Sequence, residues 1–325
     1  MKSKWIYRLS VTFNILIITA FIILGLRYWR FYHNSPSKAH VSDELSGSFQ
    51  WPEGKKMALS LTFDDAYYSQ IDSGIPLFNK YGIRATFYVS MWRLAPREEA
   101  WKEAISNGHE IGNHTYNHPC SGNHEFITGN SLEDYTIERI GFELNSANEF
   151  IEEMLGVCPV SFAYPCGDTF IGRGTDVESY VPLVSEMFES GRLYGESMVN
   201  PALCDLAQLP SEKLDDKSFD EIKELIETAK STGNWLILAG HDIGEGEKGI
   251  TSLSVLEAIC QYSMDPSNGI WIDNIHNISS YIREKRGEKP FSRIPADRQP
   301  AQKAFSKLWS KYYVFKSRGG VNNFV

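Results

Sequence analysis

The chain has 325 residues, 42% of them hydrophobic, which is enough apolar content for one large domain or two small ones. Its net charge of −9 argues against nucleic acid as a main partner.

The amino end carries Lys2, Lys4 and Arg8, then an uncharged run from Val11 to Leu26 flanked by Trp5, Tyr7 and Tyr28. That run approaches the ~20 residues that cross a bilayer. A cleaved signal peptide would need a small-x-small site after it, and "GLRYWRFYH" has none. Basic residues on both sides disfavour a buried core helix. Residues 1–30 therefore read as an uncleaved signal-anchor helix, with the bulk of the chain outside the cytoplasm. His33 to Gly54 is polar and turn-rich, so residues 31–55 read as a linker.

From Lys56 the pattern becomes regular. "KMALSLTF" reads as a buried strand, "SGIPLFNKYG" as a helix stopped by Gly82, and "IRATFYVS" as a second strand. "PREEAWKEAISNG" is a helix with Pro96 in its first turn, and "HEIG" a short strand. "SLEDYTIERIGFELNSANEFIEEMLG" is a long amphipathic helix ended by Gly156, and "PVSFAYP" another strand. Residues 168–217 read as mixed loop and short elements. Ser218 and Glu221 form a capping box that opens a helix, followed by the strand "NWLILAG", the helix "TSLSVLEAICQYSM", the strand "GIWID" and the helix "NIHNISSYIREKR". The tail, residues 287–325, has Phe305, Leu308, Trp309, Tyr312 and Phe315 at helical spacing among lysines. It reads as a basic amphipathic helix, docked on the domain or lying on a membrane or anionic polymer.

Strands alternating with helices imply a parallel sheet covered by helices, whose functional residues collect at the carboxyl ends of strands. Four polar clusters fall there: Asp64–Asp65, "GNHTYNH", "YPCGD" and "GHD". His114 and His118 are four apart, and in a helix both rings would share one face and suit a divalent metal. A carboxylate from Asp64 or Asp65 would complete a three-ligand open site, and the other acid would serve as base toward a water. His241 would be the general acid. His109 and His124 read as loop or core residues. The five cysteines (120, 158, 166, 204, 260) contain no C-x-x-C pair, which disfavours a zinc knuckle. Outside the cytoplasm they allow one or two disulfides, with the pairing open.

Thr62–Phe63–Asp64–Asp65, His114–Thr115–x–x–His118, Phe162–Ala163–Tyr164–Pro165–x–Gly167 and Leu238–x–x–His241, in that order, resemble the polysaccharide deacetylases, the NodB-homology group or carbohydrate esterase family four. The resemblance covers roughly Lys56 to Arg286, a catalytic domain over 56–286. It implies an α/β fold, a distorted (β/α) barrel of about seven parallel strands, and metal-dependent removal of acetyl groups from glycans. By resemblance Asp64 is the catalytic base, His241 the acid, and Asp65, His114 and His118 the ligands of a divalent metal, most often zinc. Tyr164, Pro165, Cys166 and Leu238 would bind substrate, with the Cys166 amide as oxyanion donor and Leu238 walling the acetyl-methyl pocket. Ala66 stands where many members have Gly, and Ala163 where many have an Arg that orients the base. Asp205 and Asp273 are the candidates for the acid that tunes His241. The substrate expectation is an N-acetylated glycan. The alternatives are an O-acetyl glycan esterase, a non-glycan amidase, and a glycan-binding module on a catalytically dead scaffold.

Overall fold

Met57–Asp64 forms strand β1, and it explains the architecture. Met57, Leu59, Leu61 and Phe63 alternate with Ala58, Ser60, Thr62 and Asp64, and all eight are buried. Successive side chains leave a strand on opposite faces. The apolar set packs outward on helices, with Phe78, Ile222, Ile226, Leu256 and Ile259 in the same cluster. Each such fully buried side chain contributes about 1.5–3 kcal/mol. The small and polar set fills the inside of a barrel: Ser60 Oγ donates to Asp273 O, and Thr62 Oγ1 donates to Leu238 O at 2.9 Å.

The computed structural model describes residues 49–246 and 248–293. After β1 come β2 (Thr86–Val89), β3 (Glu110–Asn113), β4 (Ser161–Ala163), β5 (Ser190–Glu196), β6 (Leu209–Lys213) and β7 (Trp235–Gly240). Each pairs in parallel with the next, and β7 pairs with β1, so seven strands close the expected barrel. An eighth, β8 (Ile270–Ile272), pairs with Met57–Leu59, while β2 pairs with Thr62–Asp64 further along. The barrel is distorted because β8 opens the seam between β1 and β2 at its amino end.

The helices are α1 (Ile75–Tyr81), α2 (Glu98–Ser106), α3 (Ile137–Leu155), α4 (Val181–Met187), α5 (Phe219–Thr232), α6 (Leu253–Met264) and α7 (Ile275–Lys285). The local signals hold: Gly82 and Gly156 take the left-handed conformation at helix ends, and Ser218 and Glu221 make both halves of the capping box.

Two strands hidden in residues 168–217 differ from the reading of that segment as loop and short elements. β5, "SGRLYGE", and β6, "LPSEK", carry Gly, Pro, Arg and Lys instead of a β-branched run. Their inward positions meet a polar barrel interior, so the hydrophobic pattern is missing. The domain also begins before Lys56. Trp51 is buried, donates from Nε1 to Gly233 O at 2.9 Å and stacks near Tyr281, so the linker ends earlier than expected. At the other end Arg293 Nε donates to Met187 O at 3.0 Å, so ordered contacts pass the expected limit at Arg286. No helix among the described residues is long and apolar enough to cross a membrane. The signal-anchor segment, most of the linker and the amphipathic tail beyond Arg293 lie outside the described residues.

Candidate active site

β1 ends in a turn that separates the two adjacent acids. Asp65 (φ 71°) and Ala66 (φ 54°) are both left-handed, and the Asp65 amide donates to Tyr88 O at 2.9 Å. Asp64 stays inside the barrel, 3% exposed, while Asp65 turns onto the rim. Ala66 thus explains why Gly suits this position: an L-residue there costs about 1–2 kcal/mol.

β3 ends in a second left-handed turn. The Asn113 side chain accepts from Thr115 N at 2.7 Å, and Thr115 Oγ1 accepts from His118 N at 2.9 Å. Thr115 and His118 both have positive φ, so "HTYNH" is a folded turn and not a helix. The rings still meet, with centroids 4.7 Å apart, because the turn folds back on itself. Asp65 Oδ1 lies 3.9 Å from His114 Nε2 and 3.8 Å from His118 Nε2. His114 Nδ1 is 2.9 Å from Ala163 O, which places its proton there and leaves Nε2 as the lone-pair nitrogen. Burial drops the His114 pKa to about 4, so the ring is neutral near pH 7.

These donors fit a divalent cation. Two imidazoles and a carboxylate converge, with one ligand atom from each lying within 4.8 Å of the others. Zinc held at about 2.0–2.1 Å in a tetrahedron sets its ligand atoms about 3.4 Å apart, so the Asp65 oxygen, at 3.9 and 3.8 Å from the two imidazole nitrogens, is within about half an ångström of that spacing.

Asp64 is held by a residue that the motif pattern does not contain. Arg192 of β5, fully buried, donates from Nη2 to both carboxylate oxygens of Asp64, to Oδ2 at 2.5 Å. Burial works against ionisation of Asp64, but the Arg192 guanidinium together with the His114 and His241 rings outweighs it, and the carboxyl sits below its usual range. Ala163 and Arg192 are directly paired across β4 and β5. The Arg missing from one strand is supplied by its neighbour.

His241, at the end of β7, faces Asp64 with Nε2 4.0 Å from Oδ2. Its Nδ1 lies 2.6 Å from Asp215 Oδ2, and Asp215 Oδ1 accepts from His241 N and from Thr251 Oγ1. Burial opposes the cation, but the Asp215 bond and nearby carboxylates raise the His241 pKa above the ordinary value. Asp215 therefore replaces both expected tuning residues. Asp205 caps Leu206–Gln208, and Asp273 pairs with Arg84 at 2.6 Å at the amino end of the barrel. Asp215 was legible in principle, as a carboxylate just past a strand end, once "LPSEK" is recognised as a strand.

Tyr164 is buried and donates to Ala207 O, Pro165 is buried, and Cys166 (φ 56°) forms a disulfide with Cys120. Cys120 Sγ is 3.7 Å from His118 Nδ1, so the bridge ties the "YPCG" turn to the histidine turn. Leu238 is not brought to this cluster. It pairs with Leu61 and is fully buried in the apolar layer under the helices, so the structure gives it no place at an acetyl pocket. His109 is structural as expected, accepting from Ala85 N, and burial lowers its pKa to about 4.

A parallel barrel with a His–His–Asp cluster at its carboxyl rim, beside a buried acid and a carboxylate-backed histidine, defines a class of hydrolase-type sites. Residues 52–181 match the family model described as polysaccharide deacetylase, so that part of the chain is similar to that family. It is 33% identical over 97 residues to the uncharacterized protein YlxY of Bacillus subtilis, covering 30% of this chain and 27% of that one. It is 34% identical over 86 residues to the peptidoglycan-N-acetylglucosamine deacetylase of Bacillus cereus, covering 25% of this chain and 38% of that one. The chain thus spans less than half of these curated relatives. A Mycobacterium smegmatis protein solved as a candidate polysaccharide deacetylase shares the fold, with a TM-score of 0.54 at 17% identity, over 75% of this chain and 96% of that one.

Proposed function

We propose that this chain is a metal-dependent hydrolase that removes acetyl groups from an N-acetylated glycan, cleaving a carbon–nitrogen, non-peptide bond. One observation carries the reading: a carboxylate paired with Arg192 faces, at 4.0 Å, an imidazole backed by Asp215, beside three converging ligands. The name of the Bacillus cereus relative supports the same chemistry.

Asp65, His114 and His118 would hold the ion, with zinc first because two imidazoles and one carboxylate suit it. When bound, it polarises the acetyl carbonyl and lowers the pKa of a water toward about 7. Asp64 would accept the proton of the attacking water. Arg192 keeps Asp64 anionic until then. Asp215 holds the Nδ1 proton of His241, so the Nε2 proton is the one delivered to the departing amine. The Cys166 amide, in its left-handed turn, would donate to the developing oxyanion, and Tyr164 and Pro165 would shape that turn.

Acetate release from chitin oligomers, peptidoglycan, poly-N-acetylglucosamine and acetylxylan, with chelator and then added zinc, tests the proposal. Release from an N-acetylated glycan that chelation abolishes and zinc restores is the expected result. Release from acetylxylan alone would replace it with the O-acetyl esterase reading. Binding without any release would make the chain a glycan-binding module, against the intact acid–base pair.

The catalytic domain is proposed to lie outside the cytoplasm, anchored by residues 1–30, a reading supported by the uncharged run Val11–Leu26 and by the Cys120–Cys166 disulfide. A carboxy-terminal reporter active only outside the membrane should be active, and a silent reporter would refute this topology.

A further inference from the structure

We infer that Cys120, Cys166, His124 and Asp168 form a second metal site, a closed structural one for zinc, once the Cys120–Cys166 bridge is reduced. This site lies beyond the hydrolase reading and does not depend on it. Its residues come from two facing turns. Cys120 and His124 make a C-x-x-x-H pair just past the histidine turn, and Cys166 and Asp168 a C-x-D pair in the turn after β4. Structural zinc sites are commonly built from two such short-spaced pairs.

The two turns already meet. One ligand atom each from His124, Cys166 and Asp168 lies within 4.8 Å of the others, and Cys120 Sγ is bonded to Cys166 Sγ. His124 Nε2 is 3.0 Å from Asp168 Oδ2, and Ser121 N donates to the same oxygen at 2.8 Å. The carboxylate is thus fixed against the loop that carries Cys120 and His124. The side chains of His124 and Asp168 are partly exposed, so an ion can reach them, while Cys120 is buried. Two thiolates, one imidazole and one carboxylate make a tetrahedral set for zinc.

Redox state gates the site, because only a thiolate ligates and a bonded sulfur offers none. A small dithiol is the reductant. It loses two electrons and two protons and closes to its own disulfide, while the Cys120–Cys166 bond breaks and each sulfur becomes a thiol. Zinc then displaces the two thiol protons to water. The ion replaces the bridge as the clip between the turns. That clip has a use: Cys166 has φ 56°, and Cys120 Sγ lies 3.7 Å from His118 Nδ1. His118 is the competing ligand, since it too lies within 4.8 Å of both sulfurs. Its Nε2 is turned toward Asp65, at 3.8 Å, so recruiting it would dismantle the first cluster. The carboxylate paired with His124 is Asp168 itself, so recruiting His124 dismantles nothing.

Cobalt(II) titration of the full chain tests the site, after reduction by a dithiol that is then removed under argon. Thiolate-bound cobalt gives an intense near-ultraviolet charge-transfer band. Asp65, His114 and His118 contain no sulfur, so the band reads the second site alone, whatever becomes of the hydrolase reading. The oxidised chain should show no band. The reduced chain should show it, and zinc should bleach it. His124→Ala and Asp168→Asn should each weaken this cobalt at least ten-fold, and His124→Cys, which keeps a ligand, should restore tight binding. Replacing Cys120 and Cys166 together by Ser should abolish the band and so exclude the free thiols of Cys158, Cys204 and Cys260 as its source. A reduced chain without the band, or a band in the double serine variant, would overturn the site. So would undiminished affinity in both His124→Ala and Asp168→Asn, which would assign the ion to His118.

Discussion

Replacing Arg192 with Met separates a structural role from a catalytic one. Arg192 and Asp64 are 0% and 3% exposed, so the pair is dry. Removing one partner of a buried pair costs about 3–5 kcal/mol, unless the remaining group neutralises. Asp64 can neutralise by taking a proton, since burial, the largest influence on it, is then opposed only by the His114 and His241 rings and pushes its pKa up. In the wild type its depressed pKa adds stability above the unfolded value of about 3.9, and that stability is lost as pH falls through the folded value. Arg192→Met should therefore melt lower than wild type at neutral pH, with the gap narrowing on acidification. Activity at neutral pH should fall about 10²–10⁴-fold, because a protonated Asp64 cannot accept a proton, and should recover partly at higher pH. Acetate release and thermal melts over one pH series measure both effects. A variant with the wild-type acid limb and a pH-independent stability gap would refute the assignment of Asp64 as base and of Arg192 as its holder.

Asp215→Asn removes the anion behind His241. Its pKa is raised in the fold, so the protonated form is present below that value and lost as pH rises through it; in the variant the alkaline limb of the rate should move to lower pH, which a pH–rate profile reads directly. His118→Ala should weaken zinc binding at least ten-fold by competition with a chromophoric chelator, while Asp64→Asn should abolish turnover and still bind zinc. Replacing Cys120 and Cys166 by Ser opens a bridge across 46 residues, which by the chain-entropy estimate is worth about 4 kcal/mol and should lower the melting temperature; an unchanged melt would show that the bridge does not form in solution.

The parts of this molecule legible in sequence are those where local chemistry and position agree. Asp64, Asp65, His114, His118 and His241 stand at or just past the ends of strands that carry apolar residues, so both strand and cluster can be read. Arg192 and Asp215 could not be read because their strands face a polar barrel interior and carry no apolar alternation. Their identity as partners depends on β4–β5 and β6–β7 pairing, which no local window contains. The two gaps had a common origin. Ala163 left Asp64 without an Arg and His241 had no assigned acid, and both partners came from the one segment whose strands were missed.

Backbone strain follows the same geography. Among the described residues, eight non-glycine positions have left-handed φ, and five of them, Asp65, Ala66, Thr115, His118 and Cys166, belong to the candidate site. At about 1–2 kcal/mol each, these conformations must be held by their surroundings. The holders are identifiable: Tyr88 O for Asp65, the Asn113 and Thr115 side chains for the histidine turn, and the bridge to Cys120 for Cys166. Asn113 is the one that touches no candidate ligand, and it is itself pinned by Leu144 O and Asn148. Asn113→Ala should then release the histidine turn without altering any ligand. Zinc affinity should fall while Asp64, Arg192 and His241 keep their pairing, so added zinc should restore the rate. A rate loss that excess zinc leaves unchanged would place the role of Asn113 in the fold of α3 against the barrel instead.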